Sequence, residues 1–168
     1  MDRIELEDLS AFTTGAVGQP GSRTFYLQAR TPTITLSVKC EKGQVEALAQ
    51  YLDRLLEDLP LATDLPHPSQ LELIEPVVSL WILGAMGIAY DPEADRFVMQ
   101  LEEGIATDEE GNPLDDIEDQ GALRVKLTRG QVRAFVDHAK DIVAAGRPPC
   151  RWCSLPIDPD GHYCPRMN

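Results

Sequence analysis

The chain has no uninterrupted apolar run of the roughly 18 residues that a membrane-crossing helix needs. Its longest candidate, from Pro76 to Tyr90, is shorter and carries glycines. It shows no secretory leader either, because Met1-Asp2-Arg3-Ile4-Glu5-Leu6-Glu7-Asp8 is acidic and has no apolar centre. These two absences point to a cytoplasmic protein and away from a membrane. Basic residues are scarce: 15 Lys and Arg stand against 28 Asp and Glu, for a net charge of −13. Such a body repels nucleic acid and anionic lipid, and suits a basic protein partner without naming one. Cysteine is missing from nearly the whole chain. Apart from Cys40, the cysteines are Cys150, Cys153 and Cys164, crowded at one end. A secreted disulfide scaffold would spread them out, so the crowding suggests metal ligation. No phosphate-binding glycine loop, Gly-x-Ser-x-Gly elbow or His-Glu-x-x-His helix is present.

What is there is a 43% hydrophobic chain of 168 residues, enough for a sizeable core. Residues 1–10 read as a ragged start. Strands are predicted over 11–17, 23–30 and 33–40, with strong turn chemistry at Gln19-Pro20-Gly21-Ser22. The third alternates strictly: Ile34, Leu36, Val38 and Cys40 face one way, Thr33, Thr35, Ser37 and Lys39 the other, as in a sheet with one wet face. A helix follows over 41–59, with Val45, Leu48, Ala49, Leu52, Leu55, Leu56 and Leu59 on one stripe. Pro60, Pro66, Pro68 and Pro76 make 60–76 a surface-wrapping connection. Further strands are predicted within 77–90, over 96–101 and over 122–127. Residues 102–119 form an acidic loop without Lys or Arg. Thr128, with Gln131 placed for a capping box, opens a second helix that Gly146 and Pro148-Pro149 end.

Val38-Lys39-Cys40-Glu41-Lys42-Gly43-Gln44-Val45 and Val125-Lys126-Leu127-Thr128-Arg129-Gly130-Gln131-Val132 look like copies. Subtracting 87 from the second helix's stripe (Val132, Phe135, Val136, Ala139, Ile142, Val143) lands on an apolar residue each time. Gly15 and Gly18 pair with Gly84 and Gly87 in the same spirit. The expected fold is therefore α+β: two pseudo-repeated antiparallel β-β-β-α units, 11–59 and 77–146, packed together about a pseudo-twofold axis within a domain of residues 1–146.

The remaining 147–168 read as a zinc-binding tail. Cys150 and Cys153 offer one knuckle, the turn at Asp158-Pro159-Asp160-Gly161 brings the chain back, and His162 and Cys164 fall on one side of an extended segment. Three thiolates and one imidazole suit a closed tetrahedral zinc site, which would supply the tail's folding free energy. A redox dithiol, ordinary free thiols and a three-ligand catalytic zinc are the competing readings. Arg147, Arg151 and Arg166 with Trp152 and Tyr163 could read single-stranded nucleic acid, although their cations suit the acidic body better. His138 lies off its helix stripe and reads as a surface residue. Arg23, Arg30, Arg96 and Arg124 could meet in an anion pocket.

Gly15-Ala16-Val17-Gly18-Gln19-Pro20-Gly21, Arg23-Thr24-Phe25-Tyr26-Leu27-Gln28-Ala29 and the terminal Cys-x-x-Cys…Gly-His-x-Cys-Pro-Arg-x-Asn resemble an actinobacterial family, domain of unknown function 3090. The resemblance spans nearly the whole chain and implies that Cys150, Cys153, His162 and Cys164 are shared metal ligands. It implies no reaction. The leading expectation is a zinc-stabilised cytoplasmic interaction or adaptor protein with an unknown protein partner. The alternatives are an enzyme, such as a hydrolase acting on a phosphorylated small molecule in a pocket between the halves, and nucleic-acid binding through the tail.

Overall fold

A computed structural model describes residues 3–19, 21–145 and 164. One seven-stranded sheet carries two helices on its inner face. The strands are β1 (Arg3–Leu6), β2 (Ala11–Val17), β3 (Thr24–Arg30), β4 (Thr35–Cys40), β5 (Ser79–Asp91), β6 (Arg96–Glu103) and β7 (Ala122–Leu127). The helices α1 (Lys42–Glu57) and α2 (Arg129–Ala144) follow β4 and β7. Strand order across the sheet is β1-β7-β6-β5-β4-β3-β2.

Three features differ from expectation. Residues 3–6 are not ragged but form β1, parallel to β7. The two strand triplets do not make separate packed lobes. They join in one sheet through a parallel β4–β5 pair at Ser37–Ser79 and Lys39–Ile82. β5 itself is long: its start pairs with β4, its end pairs antiparallel with β6, and the register shifts between Leu83 and Met86.

β1 and β2 stand at opposite edges of the sheet, yet only residues 7–10 separate them. In a flat sheet six spacings of ~4.8 Å would hold those edges about 29 Å apart. A link that short reaches roughly 17 Å from Leu6 to Ala11. The sheet must therefore curl towards closure, and α2 lies along the β2 edge. Gln131 Nε2 donates to Leu9 O at 2.9 Å, Phe135 stacks on Phe12 at 5.0 Å, and His138 Nε2 donates to Thr14 O at 2.9 Å. His138 is thus half-buried and bonded rather than a free surface residue.

The core lies between the inner face and the helices. Phe97, Met99, Leu101, Leu123, Val125 and Leu127 meet Val45, Leu48, Leu52, Val132, Phe135 and Val136, all essentially buried. Burying each of the larger side chains contributes about 1.5–3 kcal/mol.

The shared Gly-Gln-Val has a physical reason. Gln44 Oε1 accepts from Glu41 N at 2.9 Å, and Gln131 Oε1 accepts from Thr128 N at 2.9 Å, so each glutamine satisfies a backbone donor where its helix begins. Each then spends its amide N–H groups on a strand carbonyl or the chain just before one: Gln44 on Leu83 O and Gly84 O, Gln131 on Leu9 O. The preceding glycines differ. A Cβ on Gly43 would meet nothing within 4 Å, whereas one on Gly130 would stand 2.2 Å from Asp64 O. The sequence pairing of Gly15 with Gly84, and of Gly18 with Gly87, is not matched in the sheet: Gly15 lies opposite Tyr26 and Gly87 opposite Gln100.

The connection 60–76 wraps the surface with one 3-10 turn, Pro68–Leu71. It crosses the outer face of β2 and β3 and is held there by polar side chains that a sheet would otherwise leave stranded. Thr13 Oγ1 donates to Leu71 O, Arg30 donates to Gln70 O and Glu72 O, and the Gln28 amide brackets Ile74, accepting from its N at 2.9 Å and donating to its O at 3.2 Å. Leu73 sits on Gly15, where a Cβ would be 2.5 Å away.

The twin glycines give a paired test by urea denaturation. Gly43→Ala should keep or raise stability by up to ~1 kcal/mol through helix propensity. Gly130→Ala should lower it by about 1–3 kcal/mol, as overpacking does. Equal effects would contradict the close approach of residue 64 to α2.

Candidate functional site

On the outer face of β5, β6 and β7 the sheet is bare among the described residues. Met86, Ile88 and Tyr90 turn into the core, so their neighbours Ala85, Gly87 and Ala89 face out and leave a shallow trough of about 480 Å³. Gly87, Gln100 and Arg124 form one cross-strand row along it. Gln100 Nε2 donates to Glu102 Oε1 at 2.9 Å, and Arg124 stands in register with Glu5 across the parallel β7–β1 pair. A Cβ on Gly87 would meet nothing within 4 Å, so the trough is open floor.

A second depression, of about 400 Å³, is lined by Glu103, Asp115, Asp116 and Asp119 together with Ile105 and Leu114. It belongs to the loop predicted to be acidic. In that loop Asp108 is committed locally, its Oδ1 accepting from Glu110 N at 3.0 Å and Asn112 N at 2.8 Å. Among the described residues no group of three or more His, Cys, Asp or Glu is arranged to hold a metal ion.

The four arginines do not meet. Arg23 donates to Ile142 O at 3.2 Å and lies over the Phe25 ring at 4.9 Å. Arg30 is buried against the 60–76 connection, Arg96 donates to Asp95 O at 2.9 Å, and Arg124 lines the trough. The space between the two halves, where a substrate pocket was conceivable, is filled at the β4–β5 seam by Val38, Cys40, Trp81 and Leu83. Of the tail's candidate ligands, Cys150, Cys153 and His162 lie outside the described residues, and Cys164 is buried.

Residues 4–164 match the family described as "Protein of unknown function (DUF3090)". The chain belongs to that family. The match begins in β1 and ends at Cys164, so sheet, helices and tail together make up the DUF3090 unit. No curated protein and no solved structure matches the chain.

Two charged clusters of the DUF3090 fold were not legible beforehand, because each joins segments far apart in sequence. Arg129 holds Asp95 through Nε at 2.8 Å and Nη2 at 3.2 Å and donates to Pro60 O at 2.6 Å, while Tyr90 Oη donates to Asp95 at 2.6 Å. Asp95 has φ of 52°, a left-handed conformation held by these bonds. Between the helices Asp53 accepts from Lys140 at 2.7 Å and Arg133 at 3.0 Å. The hydrogen bonds from Lys140, then Arg133, hold Asp53 below the usual carboxylate range, and those from Arg129, then Tyr90, do the same for Asp95. Burial, aided by Glu41, pushes the Cys40 thiol up to about 12, so Cys40 is an inert core residue.

Because both carboxylates have lowered pKa values when folded, their contribution is complete above the ordinary unfolded value of about 4. It is lost as pH falls through the lower folded values. Acid unfolding of Asp53→Asn should show a shallower loss of stability below about pH 4 than the parent, with urea midpoints at stepped pH as the measurement. Parallel curves would show that the Asp53 ion pairs do not couple folding to protonation.

Proposed function

We propose that this DUF3090 protein is a cytoplasmic interaction or adaptor protein, built from two β-β-β-α halves and stabilised at its 147–168 tail by zinc. One observation carries the non-enzymatic reading. The arginines that could have converged on a substrate are kept apart: Arg23 is tied to the end of α2, Arg30 to the 60–76 connection and Arg96 to the β5–β6 turn, where Arg129 holds Asp95, while Arg124 lies away from them on the trough. Their carbonyl and carboxylate partners leave no shared anion site among the described residues.

The duplication is supported by register. β2-β3-β4-α1 and β5-β6-β7-α2 follow in the same order, and the row Thr13–Gln28–Ser37 answers to Gly87–Gln100–Arg124. Ser37 lies opposite Ser79 in the parallel pair as Arg124 lies opposite Glu5. The glutamine tethers end on Leu83 O in β5 and on Leu9 O just before β2. On this reading the stretch from β1 through β2 is the counterpart of β5 alone. Stepping three strands along a sheet that curls towards closure would then be a rotation about the curl axis, which is compatible with a pseudo-twofold.

Zinc is supported by the chemistry of the donor set. Cys150, Cys153, His162 and Cys164 provide three thiolates and an imidazole, the borderline-soft set that suits tetrahedral zinc, and the burial of Cys164 is compatible with a closed structural site. When bound, the metal would close the tail and supply its folding free energy. Elemental analysis of protein expressed with ample zinc should give about one zinc per chain for four such ligands, with Cys153→Ser losing most of it. Less than half a zinc per chain, with the tail thiols titrating freely, would remove the metal from this proposal.

A further inference from the structure

We infer that the trough over Gly87, Gln100 and Arg124 is a docking groove for this chain's own tail, receiving Ile157-Asp158-Pro159 as the matching groove on the other half receives Ile74-Glu75-Pro76. The inference rests on the duplicated architecture proposed above and does not require zinc.

The occupied groove shows what such a face holds. On β2-β3-β4 the outer row Thr13–Gln28–Ser37 carries an extended segment, with the Gln28 amide bonded to both N and O of Ile74 and Leu73 laid on Gly15. The trough presents the corresponding row on β5-β6-β7. Gln100 stands at the place of Gln28, and Ala89 at that of Gly15. The floor remains small-residued, which on a bare outer face needs a reason. A primary amide that can both donate and accept is suited to reading a peptide unit edge-on. Among the described residues Gln100 bonds Glu102 instead, a contact that one side-chain rotation exchanges.

Three observations select the tail as occupant. First, the strap that fills the occupied groove is the segment leaving α1, and the segment leaving α2 is the tail. Second, the strap's Ile74-Glu75-Pro76 recurs there as Ile157-Asp158-Pro159, with an isoleucine at the residue that Gln28 brackets. Third, the tail sequence carries Arg147 and Arg151, and the sheet face carries Glu102 and Glu5, so their charges are complementary. Reach is sufficient, since the stretch from Ala144 to Ile157 can extend about 40 Å, more than the width of the sheet. If zinc joins Cys150 and Cys153 to His162 and Cys164, it ties the base of the loop whose middle carries Ile157, so the two proposals are compatible without depending on each other.

The test uses the full chain with a benzophenone amino acid in place of Ala89, which is exposed. Irradiation followed by tryptic mass spectrometry should join the β5 peptide to peptide 152–166, and mixing light and heavy isotope-labelled protein should show the join within one chain. Adding Gly87→Arg, which the open space at Gly87 allows, should cut the yield at least fivefold without moving the urea midpoint. Capture of a second chain, of a different peptide, or of nothing overturns the proposal. A companion variant, Gln28→Ala, separates the causes of failure. Faster cleavage of the strap after Glu72 by a glutamate-specific protease, together with an empty trough, would sink tail docking alone. Unchanged cleavage would sink the idea that the glutamine row is a peptide clamp, and the proposal with it.

Discussion

The fold depends on a short link. Residues 7–10 join strands at opposite edges of the sheet, so the sheet has to curl, and everything inside it is dimensioned by that curl. Curling brings α2 against β2, which is why Gln131, Phe135 and His138 find Leu9, Phe12 and Thr14 along one helix face. It also gives the inner face two helices' worth of apolar side chains to bury, and leaves the outer face to be covered or left bare. The connection 60–76 covers the outer face of β2 and β3. Nothing among the described residues does so for β5-β6-β7.

Polar groups follow the same geometry. No buried side-chain polar atom is without a hydrogen-bond partner among the described residues, because Thr13, Gln28 and Arg30 on the covered face bond the backbone that covers them. An unmade bond there would cost roughly 1–3 kcal/mol per group. These residues also specify where the connection lies, which apolar contacts alone do loosely. The ion pairs are placed differently. Asp53 with Arg133 and Lys140, and Asp95 with Arg129, sit where solvent screens them. They fix the helix pair and the β5–β6 turn in place more than they add to stability.

The helices and most strands were legible because their signals are local. The stripe from Val45 to Leu56 and the alternation from Leu36 to Cys40 follow from the period of the element and the need to bury one face. The Thr128 capping box was legible for the same reason. β1 was missed because Ile4 and Leu6 give too short an alternation to register, and because its hydrogen-bond partner lies at the far end of the chain. His138 lies off the apolar stripe yet is half-buried, since β2 reaches it only through the curl. The four arginines looked alike in sequence. The structure separates them, because an arginine's role depends on which carbonyls tertiary folding brings within reach.

By itself the sequence determined the α+β class, the bounds of each helix, the wrapping connection at 60–76 and the family to which the chain belongs. Each of these is encoded over a few residues, or in a pattern that a whole family repeats. Only the tertiary structure decided that the two strand triplets share one sheet, that β4 and β5 run parallel, and that the outer face of β2 and β3 is covered while that of β5-β6-β7 is open among the described residues. Those choices turn on which edge meets which edge. Backbone hydrogen bonds between strands are chemically the same for every residue, so sequence pattern sets which face of a strand is buried but leaves its neighbour to be settled by packing, link length and the reach of the chain.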